Sequence, residues 1–125
     1  MNLSTIRHYL SSHCETSDKH ESEMLRTHYY KSTNGKALKV LQSVIETIQG
    51  YKITSVSEEH GEISVEISAP KKGFLVISVI QVRPMETAID FSVTYEGFFG
   101  IGFCQKVVST LYEKLDKELQ VIGNG

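Results

Sequence analysis

The sequence predicts an α+β fold in two layers: an antiparallel sheet of four to five strands with helices packed on one face, in the order β-α-β-β-β-β-α. Three observations lead there. Apolar residues recur at helical spacing from Leu38 to Ile48, then at a period of two through most of residues 51–95, then at helical spacing again toward Ile122. Turn chemistry falls at each change of period. A run of strands bounded by helices is the pattern of an α+β sandwich.

The elements follow in order. Residues 1–24 are a polar segment, with Leu3, Ile6, Tyr9 and Leu10 spaced for a short helix and a linker after Ser11. The single domain is expected over 25–122. "LRTHYYKS" (25–32) alternates as a strand, and Ser32, Thr33 and Asn34 are all helix N-cap types. Leu38, Leu41, Val44, Ile45 and Ile48 form the apolar stripe of a helix that Gly50 should end. Gly61 suits a turn needing positive φ, after a weakly alternating strand at 51–57. "EISVEIS" (62–68) alternates cleanly. "APKKG" (69–73) reads as a hairpin turn, "FLVISVIQV" (74–82) is apolar on both faces, and "TAIDFSVTY" (87–95) alternates again. Val107 or Val108, Leu111, Leu115, Leu119 and Ile122 then predict a C-terminal helix.

With 125 residues the chain fits one domain and can bury a core without metal or disulfide. A net charge of −2 gives no global pull toward nucleic acid, and no apolar run approaches the ~20 residues of a membrane span. The first residues lack the continuous apolar core of a signal peptide. Two cysteines far apart, Cys14 and Cys104, predict no disulfide framework and a reducing, cytoplasmic setting, with Cys104 a small buried hydrophobe.

Candidate chemistry is sparse. His8, His13, Cys14 and His20 match no metal-ligand spacing, so neither a metal nor a cofactor is expected. Glu62, Glu66 and Asp90 could meet on one sheet face, but no nucleophile motif accompanies them, and an enzyme is not expected. Gly97, Gly100 and Gly102 precede a helix but lack the βαβ context of a dinucleotide site. They read as a strand-to-helix corner where the backbone runs close to the sheet, with Phe99, Ile101 and Phe103 filling the core.

The functional expectation comes from the two-sided strand 74–82. If helices cover Ile63, Val65, Ile67, Ile89, Phe91 and Val93, the other face shows an apolar stripe rimmed by Glu62, Ser64, Glu66, Asp90 and Ser92. That face should be covered by the N-terminal segment, by a second copy of the chain or another protein partner, with a ligand third. The reading is a non-enzymatic binding or interaction domain, self-associating or partner-binding. The alternatives are a small-molecule binder or weakly defined enzyme with a cavity between sheet and helices, and peripheral membrane docking through Phe98 and Phe99.

"LRTHYYKS", "ALKVLQSVIETIQGYKITSVSEEHGEISVE" and "FSVTYEGFFGIGF…LYEKLDKEL" are similar to segments of small cytosolic proteins of Gram-positive, spore-forming bacteria. More distantly the chain resembles a bacterial domain family of unknown function whose terminal motif runs S-x-S-R-x-G-x-x-D-x-G-x-N before a last helix. Ser92, Gly97 and Gly102 match that motif, whereas Tyr95, Gly100 and Cys104 stand at its Arg, Asp and Asn positions. The resemblance spans roughly residues 25–119 and implies the same fold. It also implies that any activity carried by those polar positions is absent here.

Overall fold

The structure is a computed structural model and describes residues 13–69, 71–95 and 101–124, the side chains of Ile101 and Asn124 excepted. Its elements are β1 (His13–Glu15), a 3-10 turn (Glu23–Leu25), β2 (His28–Tyr30), α1 (Asn34–Glu46), β3 (Tyr51–Ser57), β4 (Glu62–Ile67), β5 (Gly73–Arg83), β6 (Glu86–Tyr95), α2 (Ile101–Glu118) and β7 (Val121–Asn124). Among the described residues they build an α+β fold of two helices and one seven-stranded antiparallel sheet, ordered β3-β4-β5-β6-β2-β7, with β1 also on β6. The expected four to five strands become seven because two short strands, β1 and β7, join at the ends of the chain.

The central meander forms where the two-residue period is cleanest. Ile63, Val65, Ile67, Leu75, Ile77, Val79, Ile89, Phe91 and Val93 are all buried on one face. Against them α1 sets Ala37, Leu38, Leu41, Val44 and Ile45, and α2 sets Cys104, Val107, Val108, Leu111, Tyr112 and Leu115. Thr33 caps α1, its hydroxyl accepting from the Lys36 amide at 3.2 Å. Gly61 takes φ +65°, and an added Cβ would lie 2.3 Å from the Val79 carbonyl oxygen. Its own carbonyl accepts from the Val79 amide at 2.7 Å, so the β3–β4 turn is pressed against β5.

Several expectations are corrected. α1 ends at Glu46, not at Gly50: the Thr47 hydroxyl and amide both bond the Val44 carbonyl, drawing off the acceptor that would continue the helix. Gly50, at φ +89°, instead turns the chain into β3. Ile122 lies in β7 and is half exposed, because β7 finds its hydrogen bonds on β2 rather than extending α2. The strand expected at 25–32 shrinks to three residues, since Leu25 belongs to a 3-10 turn and packs into the core.

The stretch expected to be a linker supplies β1, whose His13, Cys14 and Glu15 pair with Thr94, Val93 and Ser92. Cys14 and Cys104 form a disulfide with Cα atoms 6.3 Å apart, within the normal span. Cys104 is therefore buried as expected but not as a free thiol, and the premise for a reducing setting is removed. The sequence hides this pairing because the two residues meet only when β1 aligns on β6 beside the first turn of α2.

Candidate interaction surface

The register fixes what the uncovered face of the sheet presents. β4, β5 and β6 bring Glu66, Phe74 and Thr94 into one row; Ser64, Val76 and Ser92 into the next; then Glu62, Ser78 and Asp90; then Ile80 beside Ala88. Along β5, Phe74 is 43% exposed and Ile80 55%, with Val76 and Ser78 half-buried between them. Val82, at the bulge that follows, is 45% exposed. The two-residue turn 84–85 follows. Proline fixes φ at its first position, and Met85 takes φ 59° at the second, as a type II turn requires. Met85 is itself 46% exposed, so exposed apolar side chains continue to the end of the hairpin.

The sheet brings the predicted polar residues onto this one face but not to one point. Glu62 and Asp90 share a row with Ser78 between them, which sets their Cα atoms roughly 10 Å apart. Glu66 lies four residues further along β4, roughly 13 Å from Glu62. Ser64 and Ser92 flank Val76. Phe98 and Phe99, with Gly97 and Gly100, lie outside the described residues. Gly102 is exposed and an added Cβ there would meet nothing within 4 Å, so it is not needed for close backbone approach. Phe103 does pack at the helix entry, edge-on to Tyr95 with ring centroids 5.9 Å apart.

Asp90 is occupied structurally. The Thr16 hydroxyl donates to its Oδ1 at 2.6 Å and the Thr27 hydroxyl at 2.5 Å. Thr16 also accepts from the Phe91 amide, and its own amide donates to the Phe91 carbonyl. Asp90 thus ties the segment on either side of the 3-10 turn to β6. Beside it, Tyr29 donates to Asp18, and that hydrogen bond raises the phenol to about 12.

A second polar cluster lies on the helix side of β2. Tyr30 donates to Asp116 Oδ1 at 2.6 Å, and His28 Nδ1 lies 3.3 Å from the same oxygen. The His28 ring stacks on Tyr112 at 3.6 Å between centroids, and Tyr112 donates to the Ile89 carbonyl at 2.7 Å. Burial pushes the Tyr30 and Tyr112 phenols well above their ordinary range, with the Asp116 bond adding to the effect at Tyr30. Sequence reasoning missed Thr16, Thr27, His28, Asp116 and Tyr112. None carries a motif, and each acquires a partner from 23 to 88 residues away.

Between α1 and α2, on their outer side, a groove of about 510 Å³ is lined by Lys39, Val40, Ser43, Val44, Thr47, Lys114, Lys117 and Glu118. Glu62, Glu66 and Asp90 are on the opposite side of the sheet from it. Among the described residues no group of three or more His, Cys, Asp or Glu could hold a metal ion. No described helix is long and apolar enough to cross a membrane.

The architecture defines the class, an α+β sandwich in which, among the described residues, helices cover one face of the sheet and not the other. No protein-family model matches the chain, and a search of the curated proteins found no match.

Proposed function

We propose that the chain is a non-enzymatic interaction domain whose open sheet face packs against the same face of a second copy. The carrying observation is the apolar stripe of β5, with Phe74, Ile80 and Val82 exposed among small polar neighbours. Exposed large apolar side chains gathered in one stripe, not scattered singly, mark contact surfaces. A two-fold contact is self-complementary for an apolar stripe. The rim carries both signs, with Lys52 beside Glu66 in the β3–β4 register, so a second copy meets no uniform repulsion. Of the N-terminal segment, the described strand β1 lies at the edge of β6 and not over β5. Sedimentation at micromolar concentration should give a dimer for the natural chain and a monomer for Phe74→Ser/Ile80→Glu with an unchanged melting temperature. A natural chain that stays monomeric would sink the proposal.

A second reading, small-molecule binding, draws on the helix groove. Three of its eight lining residues are lysines, none of them in an ion pair among the described residues, in a chain whose net charge is negative. Valines 40 and 44 give it an apolar wall. That combination suits a compact anion with an apolar part. Titrating pyrophosphate should shift the amides of Ser43, Thr47 and Lys117 saturably in a nuclear magnetic resonance experiment; shifts spread over all surface lysines would reject a site there.

A further inference from the structure

We infer that the Cys14–Cys104 disulfide is a reversible redox site that sets how stable the fold is without altering its shape. Each cysteine is held in place by contacts that do not involve its sulfur. In β1, His13, Cys14 and Glu15 pair with Thr94, Val93 and Ser92 of β6. Two residues past Cys14, the Thr16 amide donates to the Phe91 carbonyl at 2.9 Å, and the Thr16 hydroxyl accepts from the Phe91 amide at 2.9 Å. The same hydroxyl donates to Asp90 Oδ1 at 2.6 Å. Cys104 lies in the first turn of α2, and behind it Val107, Val108 and Leu111 are buried in the core. Reduction therefore leaves both sulfurs where oxidation needs them.

The co-reactant is a dithiol. Cys104 is fully buried and Cys14 half-buried, so the reductant meets Cys14 first. Its thiolate bonds the Cys14 sulfur, the protein disulfide breaks, and Cys104 leaves as a thiolate that takes up a proton. The second thiol of the reductant then displaces Cys14. Two electrons and two protons pass to the protein, which holds two thiols, and the reductant becomes a disulfide. Oxidised glutathione runs the reverse: the Cys14–Cys104 bond forms again, and two glutathione thiols leave with the two electrons and two protons.

What reduction changes is the unfolded chain. The link joins residues 90 positions apart. Cutting it releases a long loop in the unfolded state, and a cross-link that closes a long loop removes the most freedom. The folded state keeps its hydrogen bonds and its core, so the effect appears as lost stability and not as a changed structure. A thiol pool that reduces the pair lowers the resistance of the fold to heat and proteolysis, and an oxidising one restores it. This device is separate from the stripe on β5, and a dimer through that stripe neither requires nor prevents it.

The test compares the full chain at one fixed concentration in three states: oxidised, reduced with dithiothreitol, and reoxidised with oxidised glutathione. Below the melting transition, nuclear Overhauser contacts between the Cys14 and Val93 backbones should be the same in all three. The melting temperature should fall by at least about 10 °C on reduction and return on reoxidation. A Cys14→Ala/Cys104→Ala chain should melt with the reduced one and ignore dithiothreitol. Loss of the Cys14–Val93 contacts on reduction would make the disulfide the holder of β1. An unchanged melting temperature would deny it any part in stability, and a chain that does not reoxidise would show that the sulfurs drift apart. A double variant that dithiothreitol still destabilises would place the effect elsewhere; each of these four results overturns the inference.

Discussion

Thr27, only 2% exposed, donates its hydroxyl to Asp90 Oδ1 across 2.5 Å, and Thr16 donates to the same oxygen across 2.6 Å. Hydrogen bonds to a charged acceptor contribute about 1.5–3 kcal/mol, and a buried donor left alone costs about as much as the bond was worth. Asp90→Ala should therefore lower stability by about 2–4 kcal/mol in urea denaturation. Asp90→Asn, which keeps one acceptor oxygen, should lose less. If Asp90→Ala unfolds at the natural midpoint, the two threonines have water in place of the carboxylate and the assignment fails.

Alkaline pH should weaken the fold before it ionises the folded tyrosines. Tyr29 is raised to about 12, and Tyr30 and Tyr112 are raised further by burial. In the unfolded chain these phenols titrate near their ordinary value, about 10. Between the two values the folded state binds more protons than the unfolded one, so stability falls as pH rises. The contribution is whole below pH 10 and is lost on the way up through the folded values. Ultraviolet absorbance should show Tyr30 and Tyr112 ionising together with unfolding; ionisation in the intact fold would contradict their burial.

Gly61 and Gly102 should respond oppositely to alanine. Gly61 combines φ +65° with a backbone oxygen 2.3 Å from the would-be Cβ, so Gly61→Ala should cost about 2 kcal/mol or more. Gly102 lies in α2 with open space around it, and alanine there should add up to about 1 kcal/mol through helix propensity. Thermal denaturation of the two variants distinguishes them directly.

Met85 keeps a left-handed backbone with a side chain that gains little from burial. Met85→Gly should stabilise an isolated chain by about 1 kcal/mol, because the turn asks for glycine at that position. The same substitution should weaken the proposed dimer, since it removes an exposed apolar side chain at the end of the hairpin. A Met85→Gly chain that is less stable as a monomer would mean the side chain packs where the structure leaves it exposed.

The central part of the fold was legible because burial on one face imposes a period that the residues display. Ile63, Val65 and Ile67 alternate with Glu62, Ser64 and Glu66, and the observed register places each where alternation requires. The helix stripes were equally plain. Helix ends were less so: Thr47 stops α1 through a local bond to the Val44 carbonyl, and the more conspicuous Gly50 three residues on was the misleading signal. The carboxylates of the candidate face were legible as being on one face. Their separation across strands was not, since it depends on which strands are neighbours.

By itself the sequence determined an α+β sandwich, the four strands of its meander, the two helices and the apolar stripe on β5, all of which follow from local period and composition. Tertiary structure alone decided the rest. The disulfide, the two threonines on Asp90, and the cluster of Tyr30, His28 and Asp116 each join residues more than sixty positions apart. Such contacts form only when strands from the two ends of the chain align beside β6 and α2, and no short-range pattern encodes that alignment. The physical reason is that period reports which face a residue occupies, whereas partnership depends on what the folded backbone brings opposite it.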